Sequence, residues 1–323
     1  MNSLHFEVIK EDYPADKFSR LFQQNWPAYQ AWYLDEGEAK RPTYLDCIQA
    51  LKQHMPELYP LYKDILKLLD CDDLQARFLS LYCPPPFYSG CSQLIVKNNQ
   101  PALIRNYDFP PILCEGTILH SKWLGKSVIA MADCIWGALD GMNESGLAVS
   151  IAYGGRLVEG PGFGITIVMR YVLETCSNVE EAIATFRRIP VHLDYNIALL
   201  DSSGQHATVF IAPDRKICVT RATTSTNHQG TSEDEKSLFL ADSMIRLDAL
   251  NALVSPAAPI EQNPVLRFLY PPLYRPHHEY NSGTLYTAAY YPREGKINYL
   301  WPHTSLNLSF SDSSETKLHI HYE

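Results

Sequence analysis

Ser89-Gly90-Cys91-Ser92-Gln93-Leu94-Ile95-Val96 is the stretch on which the fold turns. A small-residue junction stands directly in front of a strand-like run. A turn-like Lys97-Asn98-Asn99-Gln100 follows, then a second extended run from Ala102 to Asp108. The pair reads as a β-hairpin headed by a cysteine. A thiol in that place can open the peptide bond before it. Gly90 has no Cβ to obstruct attack and reaches backbone angles other residues avoid. Cleavage between Gly90 and Cys91 would leave Cys91 with a free α-amino group. Its reference pKa of about 7.7–8.0 suits it to accept the thiol proton. One residue then supplies nucleophile and base, and acyl transfer runs through a thioester. Taken alone, the same dipeptide describes a buried strand cysteine behind a turn.

Outward from the junction the chain changes character. Residues 1–82 read as mainly helical, with helices over 16–33 and 43–54, a third set by Leu58, Leu61, Tyr62, Ile65, Leu68 and Leu69, and no strand alternation. Cys83-Pro84-Pro85-Pro86 ends this block, because three prolines cannot continue a helix. Residues 1–90 are therefore expected as a helical segment packed on a core of residues 91–323. Strands are expected near 92–96, 101–106, 117–120, 127–133, 135–140 and 146–152, then helices lined by Ile165 to Cys176 and by Val179 to Ile189. Further strands fall at 195–200, 206–212 and 216–220, helices at 240–253 and 261–270, and a final meander at 284–290, 296–301 and 305–310. This order gives an α+β fold of antiparallel sheet layers covered by helices, not a parallel βαβ sheet.

The whole chain narrows the chemistry. Its 323 residues carry a formal charge of -9 and no basic stripe, which excludes nucleic acid as the expected partner. No apolar stretch approaches the ~20 residues of a membrane helix, and the N-terminus has no signal-like apolar run. The eight cysteines form no Cys-x-x-Cys pair, which argues against a zinc ribbon and for reduced thiols in a cytoplasmic protein. Gly160-Pro161-Gly162-Phe163-Gly164 lacks dinucleotide-loop spacing, and His319 with His321 lacks a third ligand, so neither cofactor nor metal is expected.

Three more stretches occur in order. They are Arg105-Asn106-Tyr107-Asp108, Asp140-Gly141-Met142-Asn143-Glu144-Ser145-Gly146-Leu147, and Thr226-Asn227-His228. With Cys91 they resemble the N-terminal-nucleophile (Ntn) hydrolases of the penicillin acyltransferase and choloylglycine hydrolase group. The resemblance implies a four-layer α-β-β-α sandwich and a self-processing amidohydrolase or acyltransferase acting on small acyl amides or acyl thioesters. It implies Cys91 as the nucleophile freed from Gly90, Arg105 as a cation beside the thiol, and Asp108 as the carboxylate holding the new amine. Asn227 matches an oxyanion-hole amide, Asn143 a second polar group near the scissile carbonyl, and either Arg246 or Arg275 a downstream arginine. The acyl group and the oligomeric state stay open. Two rival readings are a catalytically silent ligand-binding relative and a cysteine peptidase using His192, His206 or His228.

The hairpin carries its own geometric expectation. A two-residue Asn98-Asn99 turn would set Cys91 opposite Asn106 and aim Arg105 at the other face. A three-residue loop or a bulge would set Arg105 across from Cys91. The catalytic reading needs the odd register, and a twist near Tyr107 to bring Asp108 round as well.

Overall fold

The computed structural model describes residues 3–229, 240–255, 263–276, 282–311 and 314–322. Its first element departs from the helical reading of residues 1–82. β1 (Ser3–Lys10) is a strand, with Phe6 and Val8 turned inward and His5 exposed. It pairs antiparallel with β15 (Thr316–His321) and parallel with β4 (Thr117–Ser121). Four helices follow: α1 (Asp16–Tyr33), α2 (Tyr44–His54), α3 (Leu58–Leu69) and α4 (Asp73–Leu79). Capping boxes start two of them, Thr43 with Asp46 and Asp72 with Gln75. Aromatic side chains fasten this segment to the core. Phe18 meets Trp123 edge-on, and Tyr62 stacks on Trp136.

The hairpin is β2 (Gly90–Val96) with β3 (Ala102–Phe109), joined by residues 97–101. The next strands are β5 (Val128–Asp133), β6 (Gly137–Asn143) and β7 (Ala148–Tyr153). Helices α5 (Ile165–Thr175) and α6 (Val179–Arg188) come next, the second capped by Asn178. β8 (Tyr195–Leu200), β9 (His206–Ala212), β10 (Arg215–Thr220) and the short β11 (Thr224–Ser225) precede α7 (Leu240–Val254) and α8 (Pro264–Arg267). β12 (Gly283–Tyr291), β13 (Lys296–Trp301) and β14 (Thr304–Ser309) complete the meander. The expected helix over 261–270 is only the short α8 among its described residues, and residues 277–278 lie outside the described chain.

Two sheets result. One runs β10-β9-β8-β7-β6-β5-β4-β1-β15, the other β11-β2-β3-β12-β13-β14. β2 and β3 pack against β7 and β8, so the sheets lie face to face. α5 and α6 cover the outer face of the nine-stranded sheet, and α7 covers β2 and β11 of the six-stranded one. This is the four-layer α-β-β-α sandwich. The central strands of the two middle layers are covered on both faces, which is why β2, β3 and β5 to β8 are buried almost end to end.

The hairpin register is neither of the two expected, yet it has the required parity. Val96 pairs with Ala102, Cys91 with Tyr107 and Gln93 with Arg105. Arg105 is thus diagonal to Cys91, on the same face as Cys91 and Tyr107. The irregularity near Tyr107 is carried by the neighbouring strand. Thr284 pairs with Asp108 and Tyr286 with Tyr107, leaving Leu285 as an extra residue in β12.

Candidate active site

Cys91 is fully buried at the head of β2. Arg105 Nη2 donates to its Sγ at 3.0 Å, and Ser89 Oγ lies 3.8 Å from the same sulfur. Burial pushes the Cys91 thiol up; Arg105 opposes that, and Asp108 adds to it. The balance of these influences favours the neutral thiol.

Arg105 is itself buried and must be neutralised. Its Nη1 donates to Asp140 Oδ2 at 2.5 Å and to the Leu139 carbonyl at 3.1 Å. Asp140 also accepts from the hydroxyls of Tyr286, at 2.5 Å, and Tyr290. The rings of Tyr107 and Tyr286 flank the guanidinium at 4.9 and 5.9 Å. Asp140, Tyr286 and Tyr290 were not among the expected site residues. Asp140 carried a signal: a lone acid inside Gly137-Ala138-Leu139-Asp140-Gly141-Met142 must be paired if that run is buried.

Asn227 closes the other side. Its Oδ1 accepts from the Cys91 N–H at 2.8 Å, and its Nδ2 donates to the carbonyls of Ser89 at 3.0 Å and Tyr153 at 2.9 Å. The segment that carries it is pinned from three directions. Ser243 Oγ accepts from the Asn227 N–H at 2.8 Å, and Asn196 Nδ2 donates to the carbonyls of Thr226 and His228. Gly155 lies under it with φ +96°, where a Cβ would stand 2.3 Å from the Asn227 carbonyl oxygen.

Asp108 faces Gly90 across the hairpin. Its Oδ1 accepts from Thr284 Oγ1 at 2.7 Å, whereas Oδ2 is buried with no hydrogen-bond partner. A Cβ built on Gly90 would stand 3.1 Å from that oxygen and 3.3 Å from Arg275 Nη1. Both downstream arginines lie near the junction. Arg246 Nη1 donates to the Cys91 carbonyl and to Ser92 Oγ at 3.0 Å, and its Nη2 to Asn227 Oδ1 at 2.9 Å. Arg275 stands at the rim, 3.8 Å from Asp242, which also pairs with Arg246 at 2.9 Å.

Asn143 is a correction. Its Nδ2 donates to the carbonyls of Leu173 and Cys176, and its Oδ1 accepts from the N–H groups of Ser145 and Leu147. Its amide is consumed in tying the β6–β7 turn to the end of α5, and no hydrogen bond leads from it to Cys91. Two of the three histidines of the peptidase reading bond elsewhere too. His228 Nδ1 pairs with Ser243 Oγ, and His192 Nδ1 with the Gly160 carbonyl.

A buried cysteine at the head of an inner strand, with an arginine on its sulfur, in a four-layer α-β-β-α sandwich, defines the Ntn-hydrolase class. The chain belongs to the acyl-coenzyme A:6-aminopenicillanic acid acyl-transferase family, whose model matches residues 96–306. That span opens downstream of Cys91 and includes Arg105, Asp108, Asn227, Arg246 and Arg275. No curated protein matches the chain. Among solved structures it is similar to a mutant conjugated bile acid hydrolase from Clostridium perfringens, at 13% identity over 71% of this chain and 96% of that one, TM-score 0.48. It is also similar to penicillin V acylase from Agrobacterium tumefaciens, at 18% identity over 71% and 90%, TM-score 0.44. The Caenorhabditis elegans ortholog of N-acylethanolamine-hydrolyzing acid amidase is a third, at 15% over 63% and 93%, TM-score 0.45. No helix among the described residues is long and apolar enough to cross a membrane.

Proposed function

We propose that this chain is a self-processing cysteine amidohydrolase or acyltransferase. In the first step Cys91 Sγ attacks the Gly90 carbonyl carbon. The Gly90 acyl group passes from the Cys91 nitrogen to its sulfur, and the thiol proton goes to the departing amine. Water then cleaves the thioester, leaving a Gly90 carboxylate and a free Cys91 thiol. Residues 1–90 remain as a small chain, with β1 in the nine-stranded sheet and its helices on the sandwich, held by contacts such as Phe18 with Trp123.

The second half of the reading is acyl transfer from substrate. The Cys91 thiol gives its proton to its own α-amino group and attacks an amide or thioester carbonyl. Arg105 favours the thiolate, Asp108 Oδ2 accepts from the α-ammonium, and the leaving amine or thiol takes the proton. Departure of Ser89 frees one Asn227 N–H to meet the oxyanion, which exists only in the tetrahedral state. Water or an amine then takes the acyl group.

The observation that carries this is the state of Asp108 Oδ2: a buried carboxylate oxygen without a partner, beside the bond whose opening would create an ammonium. Intact-mass analysis tests the first step: two chains matching residues 1–90 and 91–323, and a single uncut chain for Cys91→Ala. A mature enzyme that turns over none of the N-acyl amino acids, penicillins, bile-salt conjugates or acyl thioesters would defeat the second.

A further inference from the structure

A cavity of about 400 Å3 adjoins the junction, between α1, the segment before β2 and the loop after β3. Its size is that of a small-molecule pocket. The walls are apolar and aromatic: Trp32, Phe87, Tyr88, Phe109 and Leu113. Phe87 and Tyr88 lead directly into Ser89-Gly90-Cys91. Phe109 stacks on Tyr107 at 5.5 Å, and Tyr107 is paired with Cys91 across the hairpin. The cavity is thus linked to Cys91 through Phe109 and Tyr107, although Cys91 itself is not one of its lining residues. A larger cleft, about 580 Å3 near the end of α6, shares no residue with the site.

Two acids line this otherwise greasy space, Glu115 and Asp133, and no Lys, Arg or His does. Asp133 is 8% exposed. Glu115 Oε1 accepts from the Tyr29 hydroxyl and from the Ile135 N–H, but its Oε2 is buried with no partner. Burial pushes both carboxyls up, and the charge of Glu115 pushes Asp133 further, to about 7. The turn after Asp133 is also held in a costly shape. Cys134 and Ile135 take φ of +54° and +72°, a region that a β-branched residue avoids. The Tyr29 hydroxyl accepts from the Cys134 N–H at 2.8 Å and helps to fix it there. A fold that needed only a dry wall would place neither acid here. Two carboxyls without a cation leave that cation to a ligand.

We propose that this cavity receives the acyl group and selects acyl groups that end in a protonated amine, bound by Glu115 and Asp133. The assignment of the acyl group rests on Cys91 as acyl acceptor; the amine preference does not. The apolar walls take the body of the group, and the ammonium donates to Glu115 Oε2 and to Asp133. Ordinary aliphatic or phenyl acyl groups would leave both carboxyls without a cation and Glu115 Oε2 without a donor, which disfavours them.

The test uses the full Cys91→Ala chain, in which the cavity is present and no chemistry intervenes. Calorimetric titration compares 4-(aminomethyl)phenylacetamide with its uncharged isostere 4-ethylphenylacetamide. The amine should bind at least about tenfold tighter. In Glu115→Gln/Asp133→Asn, made on the same background, the ratio should fall to within about twofold. Equal or tighter binding of the ethyl compound overturns the proposal. So does absence of binding by both at millimolar concentration, or a preference that survives removal of both acids. If the double variant does not fold, the comparison on the Cys91→Ala chain alone decides. Failure here leaves the Gly90–Cys91 cleavage test untouched, since neither ligand reports on it.

Discussion

Replacing Arg105 by methionine should destabilise the sandwich mainly through what it leaves behind. Arg105 and Asp140 are both 0% exposed, and the guanidinium is the only cation hydrogen-bonded to that carboxylate among the described residues. Removing one member of such a pair strands the other, at about 3–5 kcal/mol. Asp140 keeps the hydroxyl donors of Tyr286 and Tyr290, which places the expected loss near the lower end, about 3 kcal/mol. Asp140→Asn in addition removes the stranded charge and keeps an acceptor oxygen for one tyrosine hydroxyl, while its Nδ2 can donate to the oxygen of the other. The double variant should then be more stable than Arg105→Met alone, by about 1–2 kcal/mol. All variants are made in Cys91→Ala, so that each is one uncut chain, and compared by urea denaturation. Additive losses, with a coupling energy within about 0.5 kcal/mol of zero, would refute the pairing and the buried position of both groups.

Three further outcomes follow from the same geometry. Asn143→Ala should cost about 2–4 kcal/mol in denaturation, from the hydrogen bonds it loses, while cleavage at Gly90–Cys91 proceeds at the unaltered rate; a slowed cleavage in the folded variant would restore Asn143 to the site. Gly155→Ala should slow that cleavage on the order of a hundredfold by displacing Asn227, whereas Gly204→Ala, at φ +90° but with only Arg293 nearby, should not; equal rates in a mass time course would contradict this. Burial, and then the charge of Glu115, push the Asp133 carboxyl up to about 7, above its unfolded value, so the Asp133–Glu115 pair holds more protons in the native chain than in the unfolded one between about pH 4 and 7. Stability should then fall as pH rises through that window, and Asp133→Asn should flatten the fall; parallel pH profiles of the two chains would count against it.

Local signals were the legible ones. The β2–β3 hairpin, the proline stop at Cys83-Pro84-Pro85-Pro86 and the helices α1, α2 and α3 are all encoded by near neighbours in the chain. β1 was missed because nothing near it reveals its partners. Its eight residues pair with β4 and with β15 at the opposite end of the chain, and alternation that short is weak without the pairing. The register of Cys91 came out with the right parity by a route not foreseen, since residues 97–101 form a longer loop than the Asn98-Asn99 turn. At the site, Cys91, Arg105, Asp108 and Asn227 meet as the resemblance implied. Asn143 does not, because asparagine looks the same in sequence whether its amide serves a substrate or a turn. Asp140 sits three positions earlier in the same stretch and takes the place at Arg105, since strand parity sends it and Asn143 to opposite faces.

The most direct measurement is the intact mass of freshly purified and aged protein, run beside Cys91→Ala. Two fragments dividing between Gly90 and Cys91 in the parent, with a single full-length species in the variant, is the expected pair of results. One full-length species in both, or the same fragments from Cys91→Ala, would mean that the sulfur at residue 91 does not open the bond in front of it.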